Sequence, residues 1–316
     1  MNINYKAKEI FHRIKEQLFL LKYYSFSPKS FHGQIYVSMV DGKFYQGGMC
    51  DRFKGIISLY AYCKNRNLKF KINYTYPFQL SDYLLPNDYD WRLEEGEISH
   101  SIWNCRILYM VGEYMGRRLL NLKSKKQIHF YCNRNLLNVI NNADNTNYVW
   151  GDLFHELFKP APRLQQAISN LSNKWGGYSA AVFRFQNLLG DFPEYNFHPL
   201  SSDKEKEQLI DKCLKSIEML FEKLKIEKLL VTSDSNTFLE RASQIKNVFI
   251  IPGKVVHIGC VENQSYDVYL KSFVDFYMLA NANAVYSLGT KDMYPTEFPL
   301  YAAKVNNVHF ERILIK

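Results

Sequence analysis

Glycine-rich dinucleotide loops, paired cysteines and long apolar runs are all missing from this chain. No G-x-G-x-x-G occurs, so the dinucleotide fingerprint of a Rossmann βαβ unit is absent. The six cysteines, Cys50, Cys63, Cys105, Cys132, Cys213 and Cys260, stand apart, with no Cys-x-x-Cys and no clustered histidines. That spacing argues against a disulfide framework and against structural zinc, and leaves reduced, mostly buried thiols. No stretch approaches the roughly 18 apolar residues that cross a bilayer; the run Leu18–Leu21 is cut at Lys22. The first residues, Met1–Lys6, have neither the apolar core nor the small-residue cleavage site of a secretory signal, so a cytoplasmic protein is expected. Internal repeats and low-complexity tracts are also missing.

What is present is a chain of 316 residues, 47% hydrophobic and 16% aromatic, enough for two domains with sizeable cores and too apolar for intrinsic disorder. Its formal charge of +9 favours anionic partners, whether nucleic acid, acidic lipid headgroups or phosphorylated small molecules. The positive residues are dispersed. The densest groups, Lys123-Ser124-Lys125-Lys126 and the set Lys64, Arg66, Lys69 and Lys71, read as solvated faces, with neither a basic tail nor an RNA-binding signature. A nucleic-acid partner is therefore not expected. Peripheral contact with a membrane surface stays open.

Hydrophobic periodicity organises the chain as alternating strands and helices. In the C-terminal half, Ala180–Phe183 reads as a buried strand, and Ser201-Ser202-Asp203 opens a helix whose apolar positions run from Leu209 to Leu224 at helical spacing. Strands over Lys228–Thr232, Val248–Ile251 and Ala284–Ser287 alternate with helices over Asn236–Ile245, Val268–Ala280 and from about Glu297. In the N-terminal half, Ile35–Val40, Leu68–Tyr74 and Gln127–Tyr131 read as strands and Asp51–Asn65 as a helix. An Asn-rich loop at Asn141–Asn147 and a break at Lys159-Pro160-Ala161-Pro162 follow, so the domain junction is placed near residues 155–178. The alternation predicts an α/β protein of two Rossmann-like domains facing across a cleft, each with a parallel sheet covered on both sides.

Four segments carry candidate chemistry, each with a plainer structural role beside it. In Gln46-Gly47-Gly48-Met49-Cys50-Asp51-Arg52-Phe53-Lys54-Gly55, a glycine pair before a helix lets backbone N–H groups approach an oxyanion, and Arg52 adds a charge; the alternative is a tight turn. Arg184, with Asn187 after it, stands at the carboxyl end of a predicted strand, where open α/β sheets bind ligands. Its planar fork suits a diphosphate, and the alternative is an inter-domain ion pair. Ser233 and Asp234 end another strand, placed either for ribose and base or as a helix cap. The last segment runs from Ser287-Leu288-Gly289-Thr290 to Tyr294-Pro295-Thr296-Glu297-Phe298; small hydroxyl residues opening a helix can cradle phosphate or simply cap it. Asp88-Tyr89-Asp90 is the one Asp-x-Asp match. It follows Pro86-Asn87 in what reads as a turn, so no metal site is expected.

In order and spacing these segments resemble a family. Gly47-Gly48-Met49-Cys50-Asp51-Arg52-Phe53-Lys54-Gly55 is similar to the GGLGNRLxG opening of fucosyltransferases in the superfamily of nodulation α-1,6-, α-1,2- and protein O-fucosyltransferases. Val182-Phe183-Arg184-Phe185-Gln186-Asn187 resembles their HxRxGN/D strand end, and Tyr294–Phe298 with Ala302-Ala303 their late Ser/Thr-x-Phe…A segment. Val182 stands for the motif histidine, Gln186 for its glycine and Cys50 for a glycine of the opening. These departures bear on the sugar and the acceptor more than on the nucleotide diphosphate.

The resemblance implies a bacterial, inverting, metal-independent enzyme of the GT-B fold that uses GDP-fucose as donor substrate, without a separate cofactor. It implies an acceptor-side domain over residues 1–165 and a donor-binding domain over 166–316, with a glycan or lipid-linked glycan as acceptor in polysaccharide biosynthesis. Under it Arg184 holds the β-phosphate and the breaking glycosidic oxygen; Thr296 and Phe298 lie by the phosphates or base; Asp234 sits by the nucleoside. Gly47, Gly48, Asp51, Arg52, Asn187, Ser233 and Glu297 complete the expected donor site. Asp191 and Glu194, just past the arginine, are the candidate general bases. Two alternatives remain: a GT-B transferase using another nucleotide sugar, and a non-catalytic nucleotide- or glycan-binding protein, for which 23 tyrosines and 22 phenylalanines offer stacking surfaces.

Overall fold

In the computed structural model, which describes residues 14–15, 18–27, 33–111, 119–120, 122–191, 198–253, 255–256, 258 and 265–316, the apolar runs become strands and the periodic runs helices. In chain order these are β1 (Ile35–Val40), α1 (Met49–Asn65), β2 (Lys69–Tyr74), β3 (Leu84–Pro86), β4 (Cys105–Met110), β5 (Gln127–Cys132), α2 (Leu137–Asp144) and α3 (Trp150–Leu157). Then follow β6 (Phe158–Pro160), α4 (Pro162–Trp175), β7 (Ser179–Phe183), α5 (Asp203–Leu224), β8 (Leu229–Ser233) and α6 (Asn236–Ala242). The chain ends with β9 (Val248–Phe249), α7 (Tyr266–Ala280), β10 (Ala284–Gly289), α8 (Phe298–Val305) and β11 (His309–Leu314).

Two compact units result. The first comprises 1–46, 51–76 and 90–148, the second 47–50, 77–89 and 149–316. The division falls inside the glycine motif: Gly47–Cys50 group with the second unit, Asp51 and Arg52 with the first. Helix α4 runs through the expected boundary at 165/166.

The first unit is built on a parallel four-stranded sheet of order β2-β1-β5-β4. Strand β1 is buried along its whole length, as a central parallel strand must be, and its apolar face joins Tyr23, Phe44 and Tyr131 in one core. Helix α1 covers the other face so closely that a Cβ on Gly55 would lie 2.2 Å from the Cys132 carbonyl oxygen. The last glycine of the sequence motif is thus a packing requirement. The second unit holds a parallel five-stranded sheet of order β11-β10-β7-β8-β9. The apolar stripe of α5 (Leu209, Ile210, Cys213, Ile217, Leu220) packs onto Ala181, Phe183 and Val231 of this sheet. Ser202 and Glu205 cap α5 reciprocally, as Ser201-Ser202-Asp203 foretold.

Three local readings are corrected. The Asn-rich loop is largely helix α2, closed by Asn145 in the left-handed conformation (φ 52°) that asparagine tolerates. The proline break is short strand β6, paired antiparallel with β3, followed at once by α4 with Pro162 in its first turn, where a missing N–H is harmless. Strands β4 and β11 escaped the sequence reading; β11 is mostly solvent-facing and mixes charge with apolar residues. Among the described residues no helix is long and apolar enough to cross a membrane. The five described cysteines, Cys50, Cys63, Cys105, Cys132 and Cys213, are buried and unbridged.

Candidate active site

Strand order fixes where a ligand can enter each sheet. In the second unit the chain leaves β7 towards β8 and β9 on one side and returns to β10 and β11 on the other. The carboxyl ends of β7 and β10 therefore flank a topological switch point, the place where open parallel sheets take ligands. Arg184 follows directly on β7, and the segment 290–297 follows on β10.

Arg184 is held by Asp234, which follows directly on β8. The carboxylate accepts Arg184 Nη1 at 2.7 Å and Gln186 N at 2.6 Å on Oδ2, and Phe185 N at 2.8 Å on Oδ1. The side chain of Asp234 is 3% exposed and that of Arg184 15%. Burial pushes the Asp234 carboxyl above its ordinary range, while the guanidinium and the backbone N–H groups of Phe185 and Gln186 pull it back. The ion pair foreseen as an alternative for Arg184 is thus real, but both partners belong to the second unit and it does not join domains. Asp234, expected beside a nucleoside, clamps the turn that carries Arg184. Gln186 sits at φ 54°, the left-handed region, so the motif position occupied by glycine in the resemblance keeps the conformation that glycine serves.

The neighbouring groups are mostly engaged in caps. Ser233 Oγ accepts Ser235 N at 3.1 Å. Ser235 Oγ caps α6 through Phe238 N and donates to Asp191 Oδ2 at 2.8 Å, which also accepts Thr237 N at 3.0 Å. Asp191, a candidate base, therefore contributes one oxygen to this cap, while its Oδ1 is buried without a hydrogen-bond partner among the described residues. Glu194 lies outside the described residues. Asn187 is half-buried on the turn after β7, its carbonyl accepting Gly190 N at 3.0 Å. On the β10 side, Thr296 Oγ1 accepts Phe298 N at 3.2 Å and so opens α8, and Arg312 Nη2 donates to the Thr296 carbonyl at 2.8 Å. Glu297 is exposed at the start of α8, and the Phe298 ring meets Phe276 edge-on at 5.7 Å.

The glycine motif is brought to α8 in the same unit, where Cys50 Sγ lies 3.9 Å from the Phe298 carbonyl. Gly47 needs its glycine, with φ 78°, and Gly48 follows it half-buried. The rest of the motif serves the first unit. Asp51 pairs with Lys54 at 2.6 Å. Arg52, buried, donates Nη1 to Tyr74 Oη at 3.0 Å and to the Tyr76 carbonyl at 2.8 Å, tying α1 to the end of β2. Sequence reasoning assembled Arg184, Asp234 and the glycine pair as separate signals; that Asp234 serves Arg184 is visible only once β7 and β8 pair. Of the Asp-x-Asp match, Asp90 is engaged by Arg92 through two bonds of 2.9 Å. No group of His, Cys, Asp and Glu suited to a metal occurs among the described residues.

No family model matches the chain, and no curated protein matches it in sequence. Solved structures do. The α-1,6-fucosyltransferase NodZ co-crystallised with GDP aligns over 87% of this chain and 92% of its own, at 12% identity and TM-score 0.53. A variant of Arabidopsis thaliana FUT1 in complex with GDP aligns over 95% of this chain and 73% of its own, at 10% identity and TM-score 0.56. POFUT1 in complex with GDP aligns over 91% and 99%, at 8% identity and TM-score 0.50. With its two parallel sheets and its alternating helices, the chain has the fold of the GT-B fucosyltransferases.

Proposed function

We propose that the chain is an inverting glycosyltransferase that transfers L-fucose from GDP-fucose to a glycan or lipid-linked glycan acceptor. The observation that carries this reading is Arg184: a guanidinium at the switch point of the second sheet, fixed by a buried carboxylate and still 15% exposed. Cleaving a sugar–diphosphate bond builds positive charge on the sugar and negative charge on the departing phosphate. A cation held in place before the reaction stabilises that charge without reorganising, which is where electrostatic catalysis gains most. The second unit forms the donor side and the first unit the acceptor side. The Gly47-Gly48 turn and the Thr296–Phe298 segment stand at helix N-termini, whose positive dipole ends favour the phosphates. With Arg184 supplying fixed positive charge, the reaction runs without a divalent metal. The general base is Asp191 or Glu194. The work is placed in the cytoplasm, in polysaccharide biosynthesis, with the basic protein touching a membrane surface peripherally. GDP or GDP-fucose bound in structures of two known proteins of the same fold, NodZ and POFUT1, supports the choice of donor.

The test is a thermal shift with GDP and UDP at equal concentration, followed by GDP-fucose hydrolysis. GDP at 100 times its Kd stabilises by about 2.7 kcal/mol, and UDP leaves the melting temperature unchanged. Equal stabilisation by both transfers the reading to another nucleotide sugar; affinity for GDP without turnover makes the chain a binding protein.

A further inference from the structure

Lys123, Lys125 and Lys126, which the sequence presents as a solvated face, stand in the structure at the same end of a sheet as two exposed aromatic side chains. Strands β4 and β5 pair in parallel with Cys105 opposite Gln127, and just before them the Asn104 carbonyl accepts Gln127 N at 2.9 Å. Trp103 and Lys126 therefore both stand at the amino end of the first sheet, away from the end where parallel sheets take ligands. Lys126 Nζ donates to the Ile102 carbonyl at 2.8 Å, which sets its ammonium one residue from Trp103. A parallel bridge brings Phe26 to the same place: Ser25 N donates to the His100 carbonyl at 2.8 Å, and Ile102 N to the Ser25 carbonyl at 3.0 Å. Arg106 joins from β4, its Nη1 lying 3.5 Å from the Lys123 carbonyl.

The protein itself makes little use of these groups. Phe26 is 71% exposed and Trp103 67%, and neither ring meets another aromatic among the described residues. Arg106, Lys123, Lys125 and Lys126 are exposed, and among the described residues none has a carboxylate partner. The turn 94–97 also reaches this end, where the Glu97 carbonyl accepts Gln127 Nε2 at 2.9 Å. The Glu97 side chain is paired with Lys69 at 2.6 Å, so Glu94 and Glu95 are left against the four cations, and on these residues the end stays positive.

Rings this exposed project from the surface and do not line a groove. They suit the boundary of a bilayer, where tryptophan is favoured and lysine stems lie along apolar surface with the ammonium in water. A nucleic-acid strand instead needs a groove that tracks its backbone. A second copy, in a two-fold contact, would set the four cations against themselves. We propose that this end of the first unit docks on an anionic membrane surface, Phe26 and Trp103 entering the headgroup layer and the four cations lying on acidic lipid headgroups. Such docking locates the peripheral membrane contact of the proposed function and is independent of the transfer chemistry.

The full chain is sedimented with phosphatidylcholine vesicles, with and without phosphatidylglycerol. Wild type binds the anionic vesicles and not the neutral ones, and added salt weakens binding because the charges are exposed. Lys123→Gln, Lys125→Gln and Lys126→Gln together weaken binding about 100-fold, roughly fivefold for each basic residue. Trp103→Ser weakens it about tenfold through lost apolar contact. Trp103→Phe keeps binding but removes the blue shift of tryptophan fluorescence on adding vesicles, since Trp91 and Trp150 are buried and Trp175 belongs to the second unit. All the replaced side chains are exposed, so the variants fold, with the melting temperature and GDP shift of wild type. No binding of wild type to anionic vesicles, or unchanged binding by both the triple variant and Trp103→Ser, overturns the docking surface. Tighter binding of a single-stranded oligonucleotide than of anionic vesicles at one ionic strength, lost in the same variants, assigns the patch to nucleic acid and overturns it too. Failure of the donor reading looks different: GDP does not stabilise the protein, while the vesicle series still separates the variants.

Discussion

Removing the carboxylate of Asp234 tests how the turn carrying Arg184 is built. Asp234→Ala deletes the acceptor for Arg184 Nη1 and for the N–H groups of Phe185 and Gln186, all bonded at 2.6–2.8 Å. Breaking a buried pair by deleting one partner costs about 3–5 kcal/mol, because the other charge is left uncompensated. For a unit of this size that lowers the melting temperature by about 10 °C. Arg184→Ala leaves Asp234 its two backbone donors and loses one charge-assisted bond, for a smaller cost of about 1.5–3 kcal/mol. The double variant then destabilises by less than the two singles together, with a coupling energy of about 1–3 kcal/mol. Turnover follows a different order. Arg184→Ala, assayed well below its melting temperature, lowers kcat about 100- to 1,000-fold, the effect of losing one preorganised transition-state donor. Arg184→Lys keeps the charge without the planar fork and does not restore it. Calorimetry and GDP-fucose turnover on the same preparations decide the matter. If Arg184→Ala melts early but turns over normally while folded, the pair is structural and Arg184 leaves the active site. Additive single effects on stability would refute the clamp itself.

Three more outcomes follow from the packing. Burial, with His100 and Lys43 nearby, pushes His129 down to about 3, so the unfolded chain binds one more proton than the folded one between about pH 3 and 6.5. This stability is complete above pH 6.5 and lost as pH falls: about 2 kcal/mol is gone by pH 5. Denaturant titrations at pH 5 and 7 on wild type and His129→Gln check it, the variant showing the shallower pH dependence. Gly55→Ala places a methyl against the Cys132 carbonyl, 2.2 Å from its oxygen; it costs about 3 kcal/mol or more by overpacking, read as a lower urea midpoint with unchanged slope. Gln186→Gly changes stability by no more than about 1 kcal/mol, because relief of the left-handed strain offsets the added chain entropy, whereas Gln186→Val costs about 1–3 kcal/mol. Melting curves of the two variants separate these effects.

The legible part of the fold was what periodicity dictates locally. Buried strands such as Ile35–Val40 and Ala180–Phe183, and the long stripe of α5 behind its capping box, declare themselves residue by residue. A mostly solvent-facing strand does not. β11 exposes four of its six residues, so no alternation survives in its sequence. Asn145 and Pro162 also misled for one reason: residues that punctuate a helix look like residues that exclude one. At the site, Arg184 could be singled out because it follows an apolar run. The role of Asp234 could not, since 50 residues separate it from the arginine and only the parallel pairing of β7 with β8 closes that distance.

That pairing also accounts for the departure from the motif. A glycine after the arginine would enter the left-handed region freely; Gln186 does so at a cost of about 1–2 kcal/mol. Asp234 accepts the Gln186 N–H in a bond of the charge-assisted kind, which contributes about 1.5–3 kcal/mol, so the turn can hold with a side chain in the glycine position. Since Asp234 Oδ2 accepts the backbone of Gln186 and the guanidinium of Arg184 together, the bond that secures the strained turn also aims the cation. A substitution that would scatter the arginine in an unsupported loop is absorbed here by a carboxylate one strand away. The same logic separates the two halves of the glycine motif. Gly47 answers to its own backbone angle, Gly55 to the Cys132 carbonyl, and Arg52 to the end of β2. A short string of residues that resembles one binding motif therefore satisfies three unrelated constraints. Of these positions Gly47 alone lies in the same compact unit as Arg184.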